Sequence, residues 1–402
     1  MKDGDTTCDV VVAGGGLVGT SLAIGLVRTG FDVVLVEAVA RSATAQPSFD
    51  DRTLVLNRAS LNILTRLGVG HTELPQCPIR TIEVSRHGRF GRVRLAADEM
   101  RVERLGSVIV ARELGQRLKS RAAEVGVRER CPERVQHFES DGQRMRVRLA
   151  SGDVLTTSLL VAADGTGSSL AGAAGIRHHR HSYHQSAMIF NVRGRPGSGE
   201  VAYERFTDQG VLALLPQPEG RYGCVMIGPD AMIDDALDWP DAQLSAWLAE
   251  HAPPGLSGFS GPGKRVRYGL AMQRTAHPVA ERIVAVGNAA NTVHPVSAQG
   301  LNLGLRDVAG LIQILTGHRS DPGSASALAE YVALRQEDQA ATVRYTDTLA
   351  RAFSNPSMLF RIGSGLGLAA HALLPGTRRR LARGAMGYRG QTLQLARESE
   401  SA

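Results

Sequence analysis

The chain begins with a change from a strand pattern to a helix pattern and back. Asp9–Ala13 holds three consecutive valines, which predicts a strand buried on both faces. After a glycine cluster, apolar residues recur at helical spacing from Leu17 to Arg28, and Gly30 ends this predicted helix. Asp32–Glu37 repeats the buried-strand pattern. A strand, a helix and a strand in this order predict the start of a parallel sheet.

Segments of both kinds follow in the middle of the chain. Ala59–Leu67 and Arg112–Val125 have helical periodicity. Three short segments joined by glycine turns predict an antiparallel meander: Arg134–Phe138, Arg144–Ala150 and Val154–Thr157. A separate buried strand, Leu159–Ala163, is predicted directly after them. From Ser186 to Arg267, alternating strands separated by Gly and Pro predict a second, mostly antiparallel sheet, interrupted by one helix at Asp241–His251.

The buried-strand pattern returns at Arg282–Val286, and two helical patterns, Leu303–Leu315 and Ala325–Phe353, follow it. The predicted fold class is therefore α/β, with a parallel-sheet domain interrupted by an inserted antiparallel sheet and followed by a helical C-terminus. The predicted boundaries are 1–75, 100–180 and 270–345 for the first domain, 76–99 and 181–269 for the insertion, and 346–402 for the C-terminal region.

Composition limits the classes of function. With 402 residues, 43% hydrophobic and 21% charged, the chain has the balance of a globular protein of more than one domain. Its formal charge of +7 is not concentrated in a basic stripe with aromatics, so we expect no nucleic-acid partner. The four cysteines form no CxxC pair, which favours a reducing, cytoplasmic location. The apolar stretch from Cys8 to Val27 is broken by glycines, and no other window predicts a membrane span.

Two clusters of cationic residues are open to more than one interpretation. His178, His179, His181 and His184 lie beside arginines and lack a carboxylate or cysteine, so we expect no metal site and a solvated connection instead. Arg378–Arg380 lies close to leucines. That pattern is compatible with a peripheral contact to a membrane or a lipid-carrying partner, and equally with an ordinary solvated helix face.

A glycine motif of the form GxGxxG joins the first predicted strand to the first predicted helix and consists of Gly14, Gly15, Gly16, Leu17, Val18 and Gly19. In such a motif the first glycine permits the tight turn, the second lets a pyrophosphate approach the backbone, and the third lets the helix pack on the strand. The helix N-terminus offers N–H groups and partial positive charge to the phosphates. Glu37, at the end of the second strand, is placed to accept the ribose hydroxyls. The motif predicts a dinucleotide site.

Two later motifs suit the rest of such a cofactor. Asp164 and Gly165 follow a buried strand, where the carboxylate can hold a pyrophosphate or a neighbouring arginine, although an ordinary strand-end turn is the alternative. Gly287 and Asn288 follow another buried strand, where the Asn288 side-chain amide can hydrogen-bond the ribityl chain of a flavin. Beyond Pro295, a predicted helix start offers N–H groups to the N1–O2 edge of a flavin ring, at Gln299, Gly300, Leu301 and Asn302.

These three motifs in this order resemble the class A flavoprotein monooxygenases, and among them the aromatic hydroxylases of ubiquinone biosynthesis. The likeness extends over nearly the whole chain and is strongest to the 2-octaprenyl-6-methoxyphenol hydroxylase branch. Further segments that match are Phe49–Arg52, Arg112, Tyr183–Gln185, Tyr203–Thr207 and Leu214–Pro216. The resemblance implies a Rossmann-like FAD-binding domain of the glutathione-reductase and p-hydroxybenzoate-hydroxylase type, with an inserted substrate-binding sheet.

The resemblance also implies roles and partners. Arg52 and Arg112 would contact the flavin. The predicted substrate residues are Tyr203, Phe206, Leu214, Pro216 and Pro295. FAD would be reduced by transiently bound NAD(P)H, and a flavin C4a-hydroperoxide would pass oxygen from O2 to a prenylated phenol. No catalytic side chain is assigned, because the electron-rich ring is itself the nucleophile. Other proteins of ubiquinone biosynthesis are candidate partners.

The sequence departs from the wider class at two positions. Asn288 stands where that class has Asp, and Ala171 where it usually has Arg. Both departures resemble the same hydroxylase branch. They also leave open the alternative that the chain is a flavin-poor accessory subunit that binds lipid. Among enzymes, the alternative is a relative that acts at another ring position or on another phenol.

Overall fold

The computed structural model describes residues 5–40, 52–88, 92–195, 199–354 and 375–397. Its helices are α1 (Leu17–Arg28), α2 (Arg58–Arg66), α3 (Ala111–Glu124), α4 (Ser169–Ala173), α5 (Asp230–Leu237), α6 (Asp241–His251), α7 (Gln299–Gly317), α8 (Ala325–Ser354) and α9 (Pro375–Ala385). Its strands are β1 (Asp5–Ala13), β2 (Val33–Val36), β3 (Thr53–Asn57), β4 (Gln76–Ile79), β5 (Thr81–Arg86), β6 (Arg92–Ala96), β7 (Gly106–Val110), β8 (Arg128–Arg130), β9 (Val135–Ser140), β10 (Met145–Leu149), β11 (Val154–Ala162), β12 (His179–Arg195), β13 (Val201–Phe206), β14 (Val211–Gln217), β15 (Arg221–Pro229), β16 (Ser257–Ser260), β17 (Val266–Arg274), β18 (Val279–Ala280) and β19 (Ile283–Ala285).

The first sheet has β1 near its centre. The strand order is β18-β19-β11-β1-β2-β8, and β1 runs parallel to both β11 and β2. Val10, Val11 and Val12 are fully buried, as expected for a strand covered on both faces. The apolar side chains of α1 and α7 join the core on one face, and those of β10 and α4 join the core on the other. The predicted parallel sheet is therefore confirmed.

One prediction for this sheet was wrong. Val154–Thr157 and Leu159–Ala163 were expected as two strands, but β11 runs without a break from Val154 to Ala162. Its first half pairs antiparallel with β10 and its second half pairs parallel with β19, while β1 pairs with it over its whole length. The sequence pattern changes midway along β11 because its partner strand changes there from β10 to β19.

The second sheet is large and mainly antiparallel. Its order is β16-β12-β15-β14-β13-β5-β6, with β17 also paired to β12, and only the β13–β5 pair within it runs parallel. Helices α5 and α6 cover one face through a core that includes Ile233, Leu244 and Leu248. The sequence predicted α6 but missed α5, whose eight residues are too few to establish a helical period. The other face packs partly against α8 and α9.

A third, three-stranded sheet of order β3-β7-β4 adjoins the other two. Strand β4 belongs to this sheet, whereas β5 and β6 pair with each other in the second. The proposed limits of the inserted domain remain predictions. Helices α8 and α9 supply the described part of the predicted C-terminal region, and residues 355–374 and 398–402 lie outside the description. None of the helices described is long and apolar enough to cross a membrane.

Candidate functional site

A cavity of about 810 Å³, here called the central cavity, lies between the first and second sheets. At one end it is lined by Gly16, Leu17 and Val18, directly after β1. Residues that follow β11 and β19, including Gly165 and Asn288, continue the lining. Because the carboxyl ends of parallel strands meet at one edge of a sheet, three segments far apart in the chain converge here.

The glycine motif forms the narrow end of the central cavity. Gly14 has a positive φ of 114°, and a Cβ atom there would lie 2.3 Å from the Ala163 carbonyl oxygen. A Cβ atom at Gly19 would lie 1.9 Å from the Gly14 oxygen, so only glycine allows α1 this close to the strand. Gly16 is the extended N-cap residue of α1. The free N–H groups of the first turn are therefore close to the cavity.

Glu37 closes this end from the neighbouring strand. One carboxylate oxygen accepts a hydrogen bond from the Gly15 N–H at 2.5 Å, and the other accepts one from the Val39 N–H at 2.6 Å. The acid predicted from the spacing thus lies against the glycine turn. Its contact with a ribose stays a prediction.

Asp164 and Gly165 are adjacent in the chain, but Asp164 caps a helix and Gly165 borders the cavity. The Asp164 carboxylate accepts hydrogen bonds from the N–H groups of Ser169 (3.1 Å) and Leu170 (3.4 Å), so it caps α4. Gly165 lines the cavity itself. Ala171, where the wider class usually has arginine, is fully buried in the core beneath α4. An arginine at that site would need a different packing of α4.

The turn after β19 packs against the glycine motif. Gly287 has a positive φ of 59°, and a Cβ atom there would lie 3.1 Å from the Val18 side chain. The Gly287 N–H donates to the buried Asp307 carboxylate at 3.2 Å. Asn288 is exposed and lines the central cavity. Its side chain is therefore accessible from the cavity, and its contact with a flavin stays a prediction.

The start of α7 also borders the cavity, where Pro295 and the four residues from Gln299 to Asn302 all line it. The Asn302 side chain accepts from the Asn57 N–H (2.9 Å) and donates to the carbonyls of Val55 (2.8 Å) and Ala298 (2.7 Å). It therefore ties β3 to the start of α7.

Gln299 is less completely satisfied. It is 4% exposed, and its Nε2 donates to the Ser297 carbonyl at 3.1 Å. Its Oε1 accepts no hydrogen bond from the residues described. A buried acceptor without a donor is costly, so a bound donor would stabilise this side chain.

The two predicted flavin-contacting arginines differ in placement. Arg52 lines the central cavity, and its guanidinium lies 5.6 Å from the centre of the Tyr268 ring. Residues 49–51, which matched the family with it, lie outside the description. Arg112 does not line the cavity: its side chain is 48% exposed and pairs with Glu113 at 3.6 Å. The inner face of α3 is taken by Leu114 and Leu118, and Arg112 is exposed at the start of this helix. Its contact with the flavin stays a prediction.

The predicted substrate residues divide between two faces of the second sheet. Phe206, from this sheet, and Pro295, from the segment before α7, line the central cavity. Tyr203 borders the cavity, but it pairs with Leu214 and packs against the core under α5 and α6. Leu214 does not line the cavity, because it is buried in the core under α5 and α6, and Pro216 has the same parity along β14. The prediction of Leu214 and Pro216 is therefore corrected: their neighbours Ala213 and Leu215 face the cavity instead. The strand is apolar on both faces, so its sequence gives no sign of which face is inside.

Several lining residues were missed altogether. Apolar side chains from β5, β6 and α9 complete the wall of the cavity: Ile82, Val84, Val93, Leu95, Leu381 and Ala385. Polar groups among them are few, and include Glu204, Ser297, Tyr345 and Arg389. Glu204 is the one with a sequence signal, since an acid within an apolar strand is unusual.

Burial controls the charges around the α7 start. It raises the pKa of Glu204 above its ordinary range, although Ser297 donates two hydrogen bonds to that carboxyl. It also raises the pKa of Tyr345. Burial lowers the pKa of His294 to about 4, so this imidazole is neutral near pH 7. The neutral ring packs edge-on against the Tyr183 ring, with 4.9 Å between the two ring centres.

These features fit a flavin dinucleotide. The cavity continues without a wall from the α1 N-terminus to the α7 N-terminus, and its volume is within the range of about 300–1,000 Å³ usual for ligand sites. The start of α1 offers N–H groups for phosphates, and the start of α7 offers N–H groups and the unpaired Gln299 amide oxygen for a polar ring edge. Which of these residues touch the cofactor remains a prediction.

Comparison with known proteins agrees with this geometry. The family described as the FAD binding domain matches residues 7–346. Ubiquinone hydroxylase UbiL of Rhodospirillum rubrum is 30% identical, with 98% of this chain and 92% of that protein covered. The 3-demethoxyubiquinol 3-hydroxylase of Escherichia coli is 30% identical over 90% of this chain and 94% of its own.

A solved structure shows the same fold. The p-nitrophenol 4-monooxygenase PnpA of Pseudomonas putida superposes with a TM-score of 0.77 at 17% identity, covering 96% of this chain and 99% of that one. The family match extends over well over half of the chain, and the two relatives align along nearly all of it. The chain therefore belongs to the FAD-binding-domain family and is an FAD-dependent monooxygenase.

Proposed function

We propose that this enzyme hydroxylates the aromatic ring of a prenylated phenol in ubiquinone biosynthesis, with 2-octaprenyl-6-methoxyphenol as the substrate. The observation that carries the proposal is the shape of the central cavity. It includes the glycine turn before α1, the polar start of α7 and an apolar wall. An aromatic ring at the α7 start, with its tail along the wall, would use all three parts.

The cofactor end would be supplied by the residues already described. Gly16 to Val18 would bind the phosphates, Glu37 and Asn288 the sugar chain hydroxyls, and Arg52 with the start of α7 the ring. Bound FAD would supply electron transfer from NAD(P)H and the activation of O2. The N–H groups at the α7 N-terminus favour negative charge nearby, as reduced flavin carries.

The wall of the cavity supports a long apolar tail. It is formed by branched and small side chains, with Val211, Ala213 and Leu215 from β14 and Val225 and Ile227 from β15 among them. Burial of each methylene of a prenyl tail against such a surface is worth about 0.8 kcal/mol. A small polar phenol would leave most of this surface without a partner. The same apolar wall would exclude water from the reacting ring.

The names of the relatives support the same pathway. One is a ubiquinone hydroxylase and another a 3-demethoxyubiquinol 3-hydroxylase, and both align along nearly their full length. An identity of 30% supports the class of substrate more strongly than the ring position. The ring position is thus the point that an experiment must decide.

Deletion of the gene in its host, followed by mass spectrometry of the quinone fraction, tests the proposal. We expect loss of the mature quinone and accumulation of the methoxyphenol precursor, both reversed by the wild-type gene. The Gly16→Val gene is the matched control, since its product should lack FAD. Accumulation of another precursor would assign a different ring position, and an unchanged quinone content would contradict a role in the pathway.

A further inference from the structure

Glu204 is an acid to which the proposed function gives no role. It lies on β13 and faces the central cavity. The adjacent Arg205 points to the other side of the strand, where it donates to Ser85 Oγ at 3.0 Å. The neighbouring cation therefore does not neutralise this acid. A carboxyl withdrawn from water is costly unless its oxygens accept hydrogen bonds, so the partners of Glu204 show what it does in the fold.

What Glu204 holds is a single residue, Ser297. One carboxyl oxygen accepts the Ser297 backbone N–H at 3.1 Å, and the other accepts the Ser297 hydroxyl at 3.1 Å. The two bonds together fix both the position and the orientation of that residue. They also connect the second sheet directly to the segment before α7.

Ser297 is a position where the chain needs to be held. Its φ is 61° and that of Ala298 is 48°, so two consecutive residues other than glycine are left-handed. Ala298 is the N-cap residue of α7 and makes no side-chain capping bond. The strained pair therefore depends on contacts from elsewhere in the fold.

A second contact comes from α8. Helix α8 packs against the segment that holds Ser297, and its Tyr345 is close enough to Glu204 and Ser297 for both to affect its pKa. The Arg389 guanidinium lies 4.3 Å from the centre of the Tyr345 ring. All of these side chains line the central cavity. Ser297 is thus hydrogen-bonded to the second sheet through Glu204, and α8 packs beside the same segment.

We propose that Glu204 is a positioning residue: by holding Ser297 it fixes the left-handed pair 297–298 and sets the direction in which the N–H groups at the start of α7 enter the cavity. The inference rests on the proposed function only for what those N–H groups meet there, which is the flavin ring. The clamp itself is a property of the protein without cofactor.

Hydrogen–deuterium exchange of the FAD-free protein tests the clamp without a catalytic readout. Glu204→Ala removes both acceptors, and we expect amides 297–302 to exchange about tenfold faster. Glu204→Gln keeps an acceptor for the Ser297 N–H and offers a donor to the hydroxyl oxygen, so exchange should stay close to wild type. Glu83→Ala removes a carboxylate that pairs with Arg92 outside the cavity, and this control should leave the segment unchanged.

A glycine substitution provides a rescue. Glycine adopts a positive φ without steric cost, so adding Ser297→Gly to Glu204→Ala should slow exchange of amides 299–302 again. If Glu204→Ala does not fold, Ser297→Ala replaces it. That variant loses one of the two bonds to Glu204, and we expect about threefold faster exchange.

The midpoint potential of bound FAD is the second readout, and simple loosening of the fold would not give the same result. Glu204→Ala should lower the potential, because misdirected N–H groups stabilise the reduced ring less. Glu204→Gln should not lower it. The proposal requires both effects of Glu204→Ala, and an unchanged exchange rate or an unchanged potential would overturn it. A wild-type protein that binds FAD but hydroxylates no prenylated phenol would instead contradict the proposed function.

Discussion

The two ends of the central cavity are built in different ways. The end proposed to bind the phosphates, here called the phosphate end, is formed by a few residues close together in sequence, where Gly14, Gly16 and Gly19 each meet a steric limit or line the cavity. The end proposed to bind the phenol is here called the substrate end. The substrate end is formed by β5, β6, β13, β14, β15 and α9, which extend over most of the chain. Binding at the phosphate end requires a particular backbone geometry. Binding at the substrate end requires only an apolar surface of suitable volume.

The largest effect is expected from a bulky side chain at the phosphate end. Gly16→Val places a branched side chain where the N-cap of α1 lines the cavity, so the pyrophosphate can no longer approach the backbone. We expect FAD affinity to fall at least about 100-fold, to the point that the purified protein is colourless. The measurement is the flavin absorbance per polypeptide and a titration with FAD.

The control for this variant is another glycine. Gly172 lies in α4 with no atom within 4 Å of an added Cβ, so Gly172→Val should keep its FAD. Full flavin content in the Gly16→Val protein would mean that the two ends of the cavity have been assigned in the wrong order.

A large effect on stability is expected from Asp307, which supports the turn between the two ends. Its carboxylate accepts from the Gly287 N–H, from Arg335 at 3.0 Å and from Gln339 at 2.9 Å. Asp307→Ala leaves Arg335 buried with a single remaining partner, Asp338. The expected loss is about 3–5 kcal/mol in the free energy of unfolding, measured by urea denaturation.

The matched control is an exposed ion pair. Asp241 is 68% exposed and pairs with Arg265, so Asp241→Ala should cost less than about 1 kcal/mol. Equal losses for the two variants would show that the Asp307 network adds little to the turn.

The difference between the two ends also explains what could be predicted from sequence. Gly14 to Gly19 and Glu37 follow from local rules, since a strand, a tight turn and a helix leave little freedom. The parity of Leu214 did not follow, because β14 is apolar on both faces and its orientation depends on which layer covers it. Likewise, β11 was divided in two because its neighbours change along its length. Contacts between distant segments decided both.

Glu204 and Tyr345 are the clearest residues that the sequence could not place. They are 141 positions apart, and each acquires a role only when β13 and α8 meet Ser297. The left-handed conformation of Ser297 and Ala298 was equally hidden, since neither residue type favours it. Helix α7, by contrast, was predicted in advance from its periodicity.

An effect of pH is expected at the α7 end. His294 has a pKa of about 4 in the folded chain because it is buried, whereas an unfolded chain protonates it near its ordinary value of 6.5. Between these values the unfolded state binds more protons, so stability falls as the pH falls through this window, by about 3 kcal/mol. His294→Asn keeps an acceptor for the Val296 N–H and should show a shallower decline between pH 7 and pH 4.5 in urea denaturation. Parallel curves for the two proteins would contradict the assignment.

The smallest effect is expected at the substrate end, where volume rather than backbone geometry is at issue. Ala213→Phe fills part of the cavity wall and should raise KM for a long-tailed phenol about tenfold, with flavin content unchanged. Leu214→Ala, one residue along, empties the core under α5 and α6 and should cost about 2–5 kcal/mol of stability with KM unaltered. Assays with phenols of increasing tail length separate the two, because only the cavity-facing substitution should discriminate against longer tails. If Leu214→Ala changed that preference and Ala213→Phe did not, the two faces of β14 would be exchanged, and the substrate end would lie on the side now assigned to the helices.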